Sequence, residues 1–599
     1  MSGVRVQILA SMALLATVAG CRSPFSGGNP RPSLEQIVDQ AIAQETASHG
    51  PHPGAASQPT TAAAGDAEAQ RQTTQPGSDV IQALAGRLPE LEAIGPDLRV
   101  DPARLDLGSD LTGGDQQRVA VGLRNVVSDA LSHNLGSQAA RLQPGIAAQD
   151  VIAAEAVFDA VLFTNADLNW TDEPQTVPVI LGNPLTTPFN VYQQYRFETG
   201  IRKQFATGAV ATISTDLTRY NNNSPGLQLF PDPAYTAEVR FGVTQPLLRG
   251  FGSDVTRETI LIARNTEQRA VQDLRANLMQ VALDTESAYW NLVQAWRDLA
   301  IRQWMVEVGV QVRDVLERRR AHDTSPAQYS DAVSRVEQRK ADVIRARRAV
   351  RAASDALKLL INDSQMTVGS ESVLWPQDDV VDSPITYNLR EAMMSAIDNR
   401  PETARAILGI DDASIHQRAA SNARLPLLNL SAQMAYFGLD RHIDEAYSEM
   451  NDGRFIDYIL GLAFEYPLGN RAADAGFQQA RLRRSSAIIS YQQSVQNVVL
   501  EVKSALRDVL TNYELIQATR SFRIAQAENL RSLKVEREKM AALTPEFLNL
   551  EFERQERLAQ ARHDEVAAMV NFDKSVAALH RAMGTGLTVN GVTIKQEEE

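Results

Sequence analysis

The sequence predicts a mostly α-helical chain in which a long helical hairpin occurs twice, each copy preceded by strand segments. Two proline-free runs indicate the hairpins, one between Pro246 and Pro326 and one between Pro467 and Pro545. Proline costs ~3 kcal/mol in a helix interior, so a long run without it is typical of a continuous helix. Because the two runs are nearly equal in length and flanked alike, we interpret them as an internal duplication.

Each run is expected to form one rod-like helix, from Asp254 to about Arg320 in the first copy and over 471–540 in the second. In the first rod, apolar and small residues recur from Val271 to Leu299 with spacings that alternate between three and four, as in a coiled-coil seam. A second seam runs beside it through Ala282, Tyr289 and Trp296. Two seams predict helix neighbours on both sides of the rod. At 1.5 Å per residue, such rods span roughly 100 Å.

Both rods end in the same signature, a hydroxyl residue followed by proline. Ser325-Pro326 closes the first run and Thr544-Pro545 closes the second. A hydroxyl N-cap followed by proline at the first helical position starts a helix. We therefore expect shorter return helices over 326–361 and 545–583.

The segments before the rods alternate in the manner of β-strands. The predicted strands are Leu162–Trp170, Gln193–Phe205, Ala209–Tyr220 and Tyr235–Gln245 in the first copy, and Leu428–Phe437 and Phe455–Tyr466 in the second. We interpret the longer strand region of the first copy as an additional hairpin. A helix is expected before each set, over 120–157 and over Leu389–Asn422.

Six parts describe the expected domain organisation. They are a signal peptide (1–20), a lipid-anchored low-complexity linker (21–118), a first repeat (119–361), an inter-repeat linker (362–388), a second repeat (389–583) and a loose polar tail (584–599). The region after the signal is rich in Pro, Ala, Gln, Gly and Ser. Such a composition buries too little apolar surface to order itself.

The N-terminus and the net charge indicate an exported protein that does not bind nucleic acid. The formal net charge of −14 argues against a nucleic-acid surface. Arg5, the apolar run from Ile8 to Val18 and the small residues after it form an export signal. Cys21, the only cysteine, follows Ala-Gly as in a bacterial lipobox, so we expect it to be lipidated; the alternative is an ordinary signal peptide with a chance cysteine. No other stretch resembles a transmembrane helix, so any membrane crossing is expected to use strands.

Several short motifs, in order and duplicated, carry a family resemblance. They are Ala130-Leu131-Ser132-His133-Asn134, Ala396-Ile397-Asp398-Asn399-Arg400-Pro401-Glu402, Asn422-Ala423-Arg424-Leu425-Pro426, Gln245-Pro246-Leu247-Leu248-Arg249-Gly250-Phe251-Gly252 and Tyr466-Pro467-Leu468-Gly469. Together they resemble the TolC-like outer-membrane efflux proteins over about residues 119–585.

The resemblance implies a homotrimer whose strands share one β-barrel in the outer-membrane lipid and whose helices form an α-barrel across the periplasm. It implies a passive export duct of a tripartite efflux or type I secretion system, with a periplasmic adaptor protein and an inner-membrane pump as partners. The cargo would be small molecules or proteins, and no cofactor or metal is expected. Docking and gating are expected at the hairpin ends, at Ser325, Pro326, Leu543, Thr544, Pro545, Glu546 and Phe547.

The chain departs from the family pattern at these ends. His322 and Ala541 stand where the family usually has glycine, and Phe547 occupies a position that is usually acidic. We therefore expect a gate that closes through apolar contacts. The additional hairpin also departs from the family's usual four strands per protomer.

Other functions find little support in the residues. The eight histidines are scattered, and no phosphate loop, dinucleotide fingerprint or metal-binding helix motif occurs, so we predict no enzyme. Trp290, Trp296 and Trp304 are expected to pack in the seams. The strand aromatics Trp170, Tyr192, Tyr195 and Tyr220 form either an interfacial girdle or ordinary strand packing.

Two alternatives to the channel remain at this point. A non-conducting lipoprotein that spans the periplasm would need no lipid-facing band of strand residues. A porin would not need two rods of roughly 100 Å. Hydrophobic alternation on the strands therefore decides between the channel and the spacer.

Overall fold

The computed structural model describes residues 81, 83–96, 105–111, 113–114, 116–184, 188–224, 229–319, 324–539 and 544–592. Its α-helices are Leu88–Glu92, Leu123–His133, Leu135–Glu155, Ser253–Thr256, Glu258–Arg319, Pro326–Ile361, Leu389–Asn399, Pro401–Ala423, Ile443–Asn451, Arg471–Lys539, Pro545–Ala582 and Gly586–Val589. Its strands are β1 (Arg118–Val121), β2 (Ala160–Pro174), β3 (Val179–Ile180), β4 (Asn183–Pro184), β5 (Phe189–Gln204), β6 (Val210–Asn222), β7 (Ala234–Pro246), β8 (Val373–Pro376), β9 (Leu427–Asp440) and β10 (Phe455–Glu465).

Two very long helices dominate the molecule, as predicted. The first rod is Glu258–Arg319 with 62 residues, and the second rod is Arg471–Lys539 with 69 residues, which gives lengths of roughly 90–105 Å. The first return helix, Pro326–Ile361, and the second return helix, Pro545–Ala582, follow them. Among the described residues, no helix is both long and apolar enough to cross a bilayer.

The rods stand in a wall of four helical columns. Toward the sheet, each rod packs beside a companion helix, which is Leu135–Glu155 in the first copy and Pro401–Ala423 in the second. In the half of the rods away from the sheet, the return helices pack against the rods instead of the companion helices. The second return helix contacts both rods. The two-seam prediction for the first rod is therefore confirmed, with Ala282, Tyr289 and Trp296 all buried.

Companion and return helices meet end to end at two equivalent junctions. In the first copy, the Asn134 and Asn362 side chains donate across the junction to the carbonyls of Leu360 and His133, at 3.1 and 2.9 Å. In the second copy, Gly584 lies so close to Asn399 that an added Cβ would sit 2.8 Å from its carbonyl carbon. The two largest apolar clusters lie around these junctions, one in each copy.

Six strands form one antiparallel sheet in the order β10-β9-β7-β6-β5-β2. The first copy contributes four strands and the second contributes two, which confirms the additional hairpin. The strands β2 and β10 are the two edges. The sheet joins the rods through short connections, in which the Gly250 amide donates to the Asn422 side chain at 2.7 Å.

Four local predictions are wrong, and each error has a physical reason. The single helix expected over 120–157 is interrupted at Asn134, whose ψ of 128° is extended and whose side chain caps the next helix by accepting from the Gly136 and Ser137 amides. Residues predicted as the start of a helix at 120 form β1, which pairs in parallel with β8 inside the predicted linker 362–388. The helix expected over Leu389–Asn422 is broken at Arg400, whose ψ of 129° is extended, as the residue before a proline favours. The expected loose tail contains the helix Gly586–Val589, and Leu587 is buried against the first rod.

The segment before β1 also contributes to the core. Leu91, Leu105 and Leu107 are buried, the first against the second rod and the other two against the first rod and its return helix. The linker predicted over 21–118 is thus ordered in part, and it contains the helix Leu88–Glu92. Cys21 and the signal peptide lie outside the described residues.

Candidate functional site

The register of the six-stranded sheet assigns every strand side chain to one of two faces. Residues paired across an antiparallel ladder point to the same side, and neighbours along a strand point to opposite sides. The five ladders run without a bulge through their whole length. One face is apolar and the other is polar.

Rows of large hydrophobic side chains cross the apolar face. One row contains Leu162, Ile201, Ile213, Phe241, Met434 and Tyr458. Many residues of this face are highly exposed in the single chain, among them Leu168 at 72%, Trp170 at 75% and Leu460 at 78%. This is the reverse of a water-soluble sheet, where the solvent-facing side is polar.

The polar face carries charged side chains, and those in its centre are the least exposed. Glu198, Asp216 and Glu238 pair in one row across β5, β6 and β7, and Asp216 and Glu238 are only 7% and 8% exposed. Arg196 forms ion pairs with Asp216 and Glu198, and Arg240 pairs with Glu238 at 2.6 Å. The sheet is therefore inside out with respect to water.

The four aromatic residues considered for a girdle divide between the faces. Trp170 and Tyr195 lie on the apolar face, where the Arg219 guanidinium sits between the rings of Tyr195 and Tyr235 at 5.7 and 5.8 Å. Tyr192 and Tyr220 lie on the polar face and stack at 5.1 Å. A girdle made of all four residues is thus wrong, because the register puts two of them on the other side.

At the hairpin ends, the predicted helix starts are present. The Ser325 hydroxyl accepts from the Gln328 amide at 3.3 Å, while the Gln328 side chain accepts from the Ser325 amide at 2.7 Å, which completes a capping box. The Thr544 hydroxyl accepts from the Phe547 amide at 3.3 Å. Pro326 and Pro545 occupy the first helical positions.

Of the remaining residues predicted at the hairpin ends, Phe547 is the one whose side chain the structure describes. Leu543 lies outside the described residues, as does the side chain of Glu546. Phe547 is only 6% exposed within the single chain. The Phe547 ring is thus buried within the single chain. It would have to leave this buried position before it could close a lumen.

The two hairpin ends lie together. Val312 and Leu316 of the first rod and Ala332 of its return helix form one apolar cluster with Leu548 and Phe552 of the second return helix. Because each rod begins next to the sheet and ends here, both hairpin ends lie at the pole away from the sheet.

Arg339 connects the hairpins just above this cluster, a role that the sequence did not reveal. Its Nη1 donates to the Met305 carbonyl at 2.9 Å and to Gln555 Oε1 at 3.1 Å, and its guanidinium lies 5.2 Å from the Phe552 ring centre. Burial lowers the pKa of Arg339, against the effect of Glu556 nearby. The only available signal was Gly309, the one glycine in the first rod.

Two further buried carboxyl groups lie on the second return helix. Glu565, which is 2% exposed, forms ion pairs with Arg523 at 2.7 Å and Arg562 at 3.0 Å. Burial raises the pKa of Asp573 to about 7, although the Val381 amide donates to it at 3.2 Å. Glu565 is held by ion pairs and Asp573 by a backbone hydrogen bond, so we assign them structural roles.

One group of described residues has the spacing of metal ligands. Asp440, His442 and Glu445 bring one ligand atom each within 4.8 Å of the others at the end of β9. His442 and Glu445 are exposed, and Asp440 already accepts from two backbone amides. Such exposed groups are common without an ion, so we assign no metal to them.

Solved structures with this fold include outer-membrane channels. A membrane protein from Pseudomonas aeruginosa is 18% identical and covers 78% of this chain and 90% of its own, with a TM-score of 0.56. The MtrE outer membrane channel of Neisseria gonorrhoeae, solved in an open state, is 16% identical and covers 82% and 97%, with a TM-score of 0.55. The CmeC outer membrane channel of Campylobacter jejuni is 14% identical and covers 82% and 95%, with a TM-score of 0.54.

Sequence comparison alone finds no counterpart: no family model matches the chain, and no curated protein does. At identities below 20%, the structural likeness shows the fold. The predicted TolC-like fold, with duplicated helical hairpins and an antiparallel sheet, is confirmed.

Proposed function

We propose that this chain, which has the fold of the TolC-like outer-membrane channels, forms a passive export duct through the outer membrane and the periplasm. The observation that carries the proposal is the two-faced sheet, which exposes many large hydrophobic side chains on one face and places its central carboxylates on the other. That sheet continues directly into rods of roughly 90–105 Å, long enough to cross a wide aqueous compartment.

Lipid is the solvent that suits the apolar face. Fully burying a Leu or Phe side chain is favourable by ~1.5–3 kcal/mol relative to water, and this face leaves many such side chains exposed. Alternation of apolar outward and polar inward residues is the signature of strands that line a water-filled lumen in a membrane. A non-conducting spacer would need no such band, so the two-faced sheet favours a channel over that alternative.

A single copy cannot close the sheet. The edges β2 and β10 leave backbone groups unpaired, which lipid does not tolerate, so β10 of one copy is expected to pair with β2 of the next. The outer columns of the helical wall carry matching exposed apolar residues, such as Leu142 at 66% on one side and Leu500 at 63% on the other. Together with the family resemblance, these edges support a homotrimer.

The hairpin ends are the proposed docking and gating surface. They lie at the pole away from the sheet, where the Ser325 and Thr544 caps start the two return helices. A periplasmic adaptor protein and an inner-membrane pump are the expected partners there, as in tripartite efflux or type I secretion. The energy for transport would come from the pump, and the cargo would be small molecules or proteins.

Reconstitution tests the proposal. Light scattering of the detergent-extracted full chain is expected to give a trimer, and planar bilayers containing it are expected to show stepwise conductance. A trimer that inserts and never conducts, even after removal of the hairpin ends, would favour the spacer. A stable monomer with full strand content would contradict the shared sheet.

A further inference from the structure

We propose that this chain binds a small oxyanion, a phosphate or a carboxylate group, in a cavity between the second rod and the second return helix. The cavity has a volume of about 460 Å³ and is bordered on one side by Asp379, Val380 and Asp382 of the inter-repeat linker. Four arginine side chains line it: Arg297, Arg520, Arg523 and Arg562. It lies in the helical wall, apart from the sheet and from the hairpin ends.

Three of these arginines converge on a single buried carboxylate. Glu565, which is 2% exposed, pairs with Arg523 at 2.7 Å, with Arg562 at 3.0 Å and with Arg520 at 3.4 Å. A guanidinium group carries five N–H donors, whereas a carboxylate offers about four acceptor sites in all. The Glu565 carboxylate therefore cannot satisfy the donors of three cations by itself.

Two donors of this group have no acceptor. Within the described residues, Arg523 Nη1 and Arg562 Nε are buried nitrogens without a hydrogen-bond partner. The Arg523 side chain is only 3% exposed, and its burial lowers the pKa of Arg523 although Glu565 acts in the opposite direction. Because a buried charged donor without an acceptor is costly, a second oxyanion beside Glu565 would stabilise this group. The cavity provides room for it next to the same side chains.

The other carboxylates of the cavity lie at its exposed rim. They are Glu92, Asp379 and Asp382. Asp379 pairs with Arg297 at 3.2 Å and Asp382 with Arg520 at 2.7 Å, and these two carboxylate side chains are 67% and 52% exposed. Water and salt screen such exposed charges strongly. The interior of the cavity thus holds three cations against one buried anion, which favours an anionic ligand.

The chemistry of the lining selects an oxyanion rather than a halide. A guanidinium group binds a carboxylate or a phosphate through two parallel N–H···O bonds, a geometry that a single spherical ion cannot match. One water molecule needs ~10–15 Å³ of cavity volume, so this cavity can hold an organic anion as well as inorganic phosphate. The bound group would join Arg523 of the second rod to Arg562 of the second return helix.

Calorimetric titration of the detergent-extracted full-length protein tests the inference. Sodium phosphate and sodium acetate are the two probes, each titrated at constant ionic strength maintained with sodium chloride. We expect saturable binding of at least one probe, and a melting temperature that rises with its concentration. The comparison of the two probes decides whether the site prefers a phosphate or a carboxylate.

Arg520→Gln is the test variant, because it removes one guanidinium group and leaves Glu565 with two partners. We expect the affinity for the bound probe to fall roughly tenfold or more. Arg537→Gln is the matched control, since Arg537 also joins the second rod to a buried carboxylate of the second return helix, Glu551 at 2.7 Å, and does not line the cavity. The control should keep the wild-type affinity even if its melting temperature falls.

Arg562→Lys decides if Arg520→Gln does not assemble. Lysine keeps the charge and loses the forked geometry, so the affinity should again fall. A wild-type protein that binds neither probe would overturn the inference, as would equal affinities in wild type, Arg520→Gln and Arg562→Lys. Equal losses in the test variant and the Arg537→Gln control would overturn it too. None of these results depends on conductance, so the proposed channel stands or falls separately.

Discussion

The single glycine of the first rod makes room for the cation that joins the two hairpins. An added Cβ at Gly309 would lie 2.9 Å from Arg339 Nη1 and 3.3 Å from a methyl group of Val336. Nη1 is the atom that donates both to Met305 and to Gln555. We therefore expect Gly309→Ala to displace the guanidinium from both hydrogen bonds at once.

The magnitude follows from two opposing effects. Replacing glycine by alanine in a helix interior stabilises it by ~1 kcal/mol. Hydrogen bonds from a charged donor contribute ~1.5–3 kcal/mol each, so losing both costs ~3 kcal/mol or more. The net expectation is a local destabilisation of about 2 kcal/mol or more for Gly309→Ala, although alanine is the better helix former.

Hydrogen exchange of the first rod around residues 305–312 measures this local stability. Gly409→Ala is the control, since its Cβ would meet nothing within 4 Å, and it should increase protection of its own helix. In an Arg339→Met background, Gly309→Ala should turn stabilising, because the displaced group is gone. If Gly309→Ala protects the rod in the wild-type background as well, the glycine is not there to accommodate Arg339 and the reasoning is refuted.

Three further predictions concern other parts of the chain. Cys21→Ala should leave the protein unprocessed and without label from a palmitate analogue; labelling that persists would exclude lipidation at Cys21. Leu543→Asp should raise leak current in bilayers more than the mid-rod control Gln280→Asp, since like charges would meet at the narrow end; the opposite order would place the gate elsewhere. The folded protein should lose stability as the pH rises from about 4 toward 7, because burial raises the pKa of Asp573 to about 7 and disfavours its charged form. Asp573→Asn should therefore raise the melting temperature at pH 8 and change it little at pH 5; equal shifts at both values would contradict the titration.

Local signals in the sequence were sufficient for the helical hairpins. The return helices begin at Pro326 and Pro545 as predicted, because a hydroxyl N-cap and a proline act within one turn. The sheet strands were found within a few residues for a similar reason, since alternation is a local pattern.

Features that depend on contacts between distant parts of the chain could not be predicted from the sequence. The strand β1 exists only because β8, some 255 residues away, offers it a parallel partner. Leu91 and Leu107 lie in a segment with little apolar surface of its own, and they are buried because the rods supply the rest of the cluster. Neither relationship has a short-range signature.

The candidate site likewise contains features that local sequence patterns predicted and features that depend on contacts between distant residues. Alternate polar and apolar residues in β5 indicated two faces, whereas the row of Glu198, Asp216 and Glu238 required the register of three strands. Likewise, the caps at Ser325 and Thr544 were readable from sequence. The connection through Arg339 was not, since it joins helices from both copies.

The accessibility of spin labels on the edge strand β2 to oxygen and to a nickel complex is the most direct test that the apolar face meets lipid and the polar face meets water. Spin labels attached through Leu168→Cys on the apolar face and Asp167→Cys on the polar face can be compared in reconstituted membranes, with the unsubstituted chain as the control for any label on Cys21. We expect the label at position 168 to relax with dissolved oxygen, which partitions into lipid, and the label at 167 with a water-soluble nickel complex. Equal accessibility of both labels to the nickel complex, or the reverse pattern, would contradict a membrane-spanning sheet and the channel built on it.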